Sequence, residues 1–279
     1  MRLARGITAT THVDRHRDKL TLGALEDMVR QIEDHYIPVL NQHDPRLPPL
    51  GRIASAEVVP MDDGEYALVV TQELFEPGDV PPPVDKRRSV RLRELPSDIN
   101  IAVDQSFRHE ADQEILATLE KSGVTVTQGV KKALEPISVL IIGAGLLVAR
   151  GFLNRIGDEL GGTVCEAVRG LLNRRRGADA TFLLVMELRL RDNPQPLSLK
   201  VILDSPSDDE VVEFLRDGVK LVQELIPTVL TYADDFCEVT LHYKNQQLRS
   251  GHGIRRDGFP IRQLDQFDQI DQHDDFSSE

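Results

Sequence analysis

The chain has 279 residues, 40% hydrophobic and 28% charged, with a net charge of -13, no tryptophan and two cysteines. That length suffices for a sizeable core, and the acidic balance excludes non-specific nucleic-acid binding as the main task. Two cysteines exclude a disulfide framework or a zinc site built from cysteine alone. The opening MRLARGITATTH holds no apolar run of signal-peptide length, so a cytoplasmic location is expected.

The first segment covers residues 1–109. Over residues 21–36, Leu22, Leu25, Val29, Ile32 and Tyr36 fall on one side at helical spacing. Strand patterns follow over 52–59 and 65–75, joined through PMDDGE, whose Asp-Gly pair suits a hairpin turn. The prolines at 81, 82 and 83 then forbid regular structure, and two short strand patterns occupy 89–92 and 99–103. These elements predict a small β-rich α+β domain.

The second segment, 110–178, reads as helical. Ile115, Leu116 and Leu119 begin it, and the uncharged run ISVLIIGAGLLVA follows Pro136. Leu153, Ile156, Leu160, Val164, Val168 and Leu171 then continue at steps of three and four. Gly157 and Gly161 form a GxxxG, which predicts close helix packing within the chain or between chains. One reading is a membrane-contacting hairpin over 137–172 with Arg174–Arg176 at lipid headgroups. The preferred reading is a buried or oligomerising helix, because the run falls short of the ~20 apolar residues a span requires.

The third segment, 179–262, alternates from Phe182 to Leu190 and again from Leu197 to Leu203, a hairpin pattern. Ser207 and Glu210 have the spacing of a capping box. The predicted helix buries Val211, Leu215, Val219, Val222 and Ile226 and ends at Pro227, and Cys237 to Tyr243 makes a last strand. A ββαβ sandwich of helix on sheet is expected, with a disordered acidic tail over 263–279.

Chemistry-bearing residues concentrate in the first segment. Asp14-Arg15, Asp18, Gly23-Ala24-Leu25, His43-Asp44 and Gly51-Arg52-Ile53 occur there in that order. The order resembles that of the tailed-phage prohead (capsid maturation) serine proteases, a family with an assemblin-like fold, over about residues 8–107 only. The resemblance implies a small β-barrel-like protease domain with His43 as general base, Ser89 as nucleophile and Asp98 as orienting acid, Asp104 competing for that last role. A serine hydroxyl becomes a useful nucleophile once an imidazole takes its proton and a carboxylate fixes that imidazole's tautomer. Where the family has a glycine and an aromatic after the serine, Arg91 and Leu92 stand here.

The expected fold class is therefore α+β: protease-type domain, glycine-rich helical segment and ββαβ domain. Two functional readings stand. One is a serine endopeptidase cleaving itself or a partner protein or peptide, coupled to an oligomerising helical segment. The other is a catalytically inactive sensor or binding module whose helical segment oligomerises or contacts membrane. No cofactor or metal is expected. His12 and His16 lack a metalloprotease glutamate, and IGAG at 142–145 lacks the rest of a nucleotide-binding loop.

Overall fold

The computed structural model describes residues 1–13, 19–41, 44–80, 89–90, 100–104, 109–121, 125–129, 137–144, 161–173, 182–190 and 197–262. The chain divides into two compact units, Met1–Asn41 with Leu47–Arg91 and Ile254–Ile261, and Gln42–Arg46 with Leu92–Gly253 and Arg262–Glu279.

Among the described residues the first unit has one helix against a five-stranded sheet. Its elements are β1 (Arg2–Thr10), α1 (Leu22–Asp34), β2 (His35–Val39), β3 (Gly51–Pro60), β4 (Tyr66–Leu74) and β5 (Ser89–Val90). The sheet order is β1-β4-β3-β2-β5, antiparallel except for the β2–β5 pair. Helix α1 starts where Thr21 Oγ1 accepts the Ala24 N–H at 3.1 Å. Its Leu25 and Ile32 pack with Leu68 and Val70 of the sheet. Burying each of these side chains contributes roughly 1.5–3 kcal/mol. Between β3 and β4 the chain turns at Gly64, whose φ of 84° is the left-handed value expected of that Asp-Gly pair.

The barrel expectation is corrected here. Among the described residues the sheet is open, with β1 at one edge and the two-residue β5 at the other. Closure requires the edge strands to pair, and β1 pairs with β4.

Residues 254–261 complete this unit. Arg52 is 4% exposed, lies 4.1 Å over the Tyr36 ring, and donates from Nε to Glu73 at 2.5 Å. Its Nη1 donates to the Asp257 carbonyl, and Phe259 stacks on Phe75 with ring centroids 4.6 Å apart. Gly258, at φ 79°, admits this packing: a Cβ there would approach the Cβ atoms of Arg52 and Tyr36 to 3.2 Å.

The second unit is built on a larger mixed sheet. Its elements are β6 (Asn100–Asp104), α2 (Glu110–Lys121), β7 (Thr125–Gly129), β8 (Ile137–Ala144), α3 (Gly161–Asn173), β9 (Phe182–Leu190) and β10 (Leu197–Asp204). Then come α4 (Asp208–Glu213), a π-helical turn (Phe214–Gly218), α5 (Val219–Leu230), β11 (Phe236–Lys244) and β12 (Gln247–Arg255). The strand order is β12-β11-β10-β9-β8-β6-β7. β13 (Pro260–Ile261) follows β12 in the sheet, and residues 254–261 group with the first unit. The pairs β6–β7, β8–β9 and β10–β11 are parallel, each with a helix in the connection, as parallel neighbours require.

The boundaries expected after residues 109 and 178 both fall within this unit and its sheet. Residues 137–144, expected to be helical, form β8, which is hydrogen-bonded between β6 and β9. An interior strand of such a sheet shows a continuous apolar run without alternation, which mimics a buried helix. Among the described residues no helix is long and apolar enough to cross a membrane. The close helix approach occurs at Gly170 of α3, where a Cβ would meet Ile115 Cδ1 of α2 at 3.0 Å. Gly157 lies outside the described residues, as does the 263–279 tail.

The β9–β10 hairpin, the helix and β11 follow the expected pattern, and Ser207 and Glu210 form the capping box. The helix runs through Pro227 to Leu230 instead of ending there. Proline removes one N–H late in the helix, while burial of Ile226, Val229 and Ala233 offsets that loss. Ser207→Ala is expected to lower the stability of this unit by about 1 kcal/mol, read as a lower urea midpoint. An unchanged midpoint would mean that the cap contributes nothing.

Candidate functional site

Ser89 opens β5 and is exposed. Parallel pairing sets His35 in register with Ser89 and Tyr36 with Val90, and the Val90 N–H donates to the Arg256 carbonyl at 2.8 Å. The strand backbone is therefore hydrogen-bonded on both sides. The Nδ1 of His35 lies 3.3 Å from the Ser89 carbonyl oxygen. A neutral imidazole that donates from Nδ1 carries its lone pair on Nε2, the form that can accept a proton.

His43 and Asp98, the expected base and orienting acid, lie outside the described residues, as do Arg91 and Leu92. The residue after His43 has a structural task. Asp44 is 8% exposed and accepts from Arg46 Nε at 3.0 Å and Nη2 at 2.6 Å, while Arg46 Nη1 donates to Asp204 at 2.8 Å. The hydrogen bond to Asp44, with a further one to Asp204, outweighs burial and holds the Arg46 guanidinium more firmly protonated than usual. Residues 42–46 group with the second unit and Ser89 with the first. Gly51, part of the family-like order, has a packing explanation: a Cβ there would lie 1.9 Å from the Glu73 carbonyl oxygen.

His35 was not legible as a neighbour of Ser89. It sits at a helix-to-strand junction, and only the β2–β5 register brings it there. His12, considered above as a metal ligand, instead places Nε2 2.7 Å from Asp63 Oδ2 on the surface. That hydrogen bond lowers the Asp63 carboxyl below its ordinary range. His16 lies outside the described residues. Among the described residues no three histidine, cysteine, aspartate or glutamate side chains gather as metal ligands.

Comparison with protein-family models, with curated proteins and with solved structures gives no match.

Proposed function

We propose that the chain carries a serine-peptidase-type activity on an extended protein or peptide segment, with Ser89 as its nucleophile. The observation that supports this most is the exposure of Ser89 on a short strand fastened to β2 and to Arg256. Its hydroxyl is carried on a hydrogen-bonded strand, and nucleophilic attack needs a positioned group. By the family resemblance, the base in this reading is His43 and the orienting acid Asp98, with Asp104 as the competing acid.

A second reading is a peptide-binding module without turnover. It is favoured by His35, whose described hydrogen bond goes to the Ser89 main chain rather than to its hydroxyl.

A fluorophosphonate probe on the full chain separates the two. Labelling of the wild type, lost in Ser89→Ala and reduced at least ten-fold in His43→Ala, is the result expected of a peptidase. Labelling that persists unchanged in Ser89→Ala would reject Ser89 as nucleophile. No labelling, combined with retained binding of an extended peptide, would favour the second reading. Activity that follows His35→Ala instead of His43→Ala would move the base to β2.

A further inference from the structure

The second unit holds a cavity of about 440 Å3 outside the carboxyl ends of the parallel pair β10 and β11. Sheets with parallel strands tend to bind ligands at such ends, because the chain leaves them in loops that open a crevice. Here Ser205, at φ 47°, turns the chain sharply out of β10. Asn245 and Gln246, at φ 52° and 64°, reverse it after β11. Size alone suits a small metabolite, and the charges narrow the class.

The acids around this cavity are engaged by the protein itself. Asp204 accepts from Arg46 at 2.8 Å and from Ser205 Oγ at 3.2 Å. Glu210 accepts the Ser207 N–H at 2.7 Å in the capping box. The basic groups are not engaged in this way. Lys244 has no hydrogen bond or ion pair with the described residues, and Arg249 reaches only Gln247 Oε1, at 3.4 Å. His242 also lines the cavity, half-buried and likewise without a described hydrogen-bond partner. Strand alternation puts His242 and Lys244 on one face of β11. Burial first, then the nearby Arg46 charge, depress the His242 pKa against the pull of Asp204 and Asp44, so the neutral ring offers one N–H.

We propose that this cavity is a binding site for a small phosphate monoester, its phosphate held by Lys244, Arg249 and the His242 imidazole and its organic part lying against Leu203, Pro206 and Tyr243. A phosphate monoester carries about −1.5 to −2 charge at neutral pH, which suits Lys244 and Arg249, neither ion-paired among the described residues, better than a carboxylate does, while Asp204 and Glu210 share the lining. Its tetrahedral oxygens also suit donors arriving from separate positions on two strands. The site is independent of the Ser89 reading, and either can fail without the other.

Titration calorimetry of the full chain at low salt tests it, with inorganic phosphate and ribose 5-phosphate as probes and acetate and ribose as controls. Saturable binding of both phosphates is expected, tighter for the sugar phosphate. Binding should weaken at least ten-fold in the Lys244→Ala/Arg249→Ala double variant, whose two positions are exposed, and should be partly kept in Lys244→Arg. Equal affinity in wild type and double variant would overturn the proposal. So would the absence of saturation by either phosphate, or acetate binding as tightly as phosphate.

Discussion

Replacing Arg52 with alanine is expected to destabilise the first unit by about 3–5 kcal/mol, the range for breaking a buried charge pair from one side. The guanidinium is 4% exposed and serves three partners at once: the Tyr36 ring face, the Glu73 carboxylate and the Asp257 carbonyl. Alanine leaves a half-buried carboxylate without its cation and a buried carbonyl without its donor, and both costs add to the lost packing. Lysine is not a rescue, because a point charge cannot lie flat on Tyr36 while bonding in two directions. Hydrogen exchange of the β3 and β4 amides reads the first unit directly. Protection should fall by two orders of magnitude or more in Arg52→Ala and by at least one in Arg52→Lys. Unchanged protection in the alanine variant would refute the role assigned to this residue.

The second large effect is acid sensitivity centred on His252. This residue is 3% exposed, and its Nε2 lies 3.4 Å from Thr240 Oγ1. Burial foremost, then the Lys200 charge and His242, push its pKa down to about 4 from the ordinary 6.5. Above the ordinary value the ring is neutral in folded and unfolded chains alike, and stability is at its full value. Between 6.5 and about 4 the unfolded chain takes up a proton that the folded one refuses, so stability falls with pH and levels off below. At 1.36 kcal/mol per pKa unit the loss amounts to about 3 kcal/mol. Urea unfolding of the wild type at pH 7.5 and pH 4.5 should show it, and His252→Gln should remove most of the difference. An acid-side loss identical in the variant would assign the effect to other groups.

Local signals in this chain were read well where one residue's chemistry decides the geometry. Gly64 in the hairpin and the Ser207–Glu210 box both act within a few residues of themselves. Elements whose identity depends on distant neighbours are not legible in the local sequence. Ile137–Ala144 is a strand because β6 and β9 flank it, and nothing in an uncharged apolar run announces those flanks. Gln247–Arg255 was missed because its polar residues and its glycines dilute any alternation. Gly251 is placed by a close approach, a Cβ there falling 2.6 Å from the Thr240 carbonyl oxygen. The candidate site divides in the same way. Ser89 was found as a residue type in a pattern, whereas His35 beside it depends on a parallel register that no local feature encodes.

The grouping of residues 254–261 with the amino-terminal unit carries a consequence for biosynthesis. The guanidinium at position 52 meets its carbonyl partner 205 positions later. A nascent chain on the ribosome must therefore extrude nearly everything in between before that cation is sealed from water. Closing a loop of such sequence separation is a late and slow event, so Arg52 lacks this partner until residues 254–261 have been synthesised. A stop codon before residue 254 would leave Arg52 without its carbonyl partner and Phe75 without Phe259.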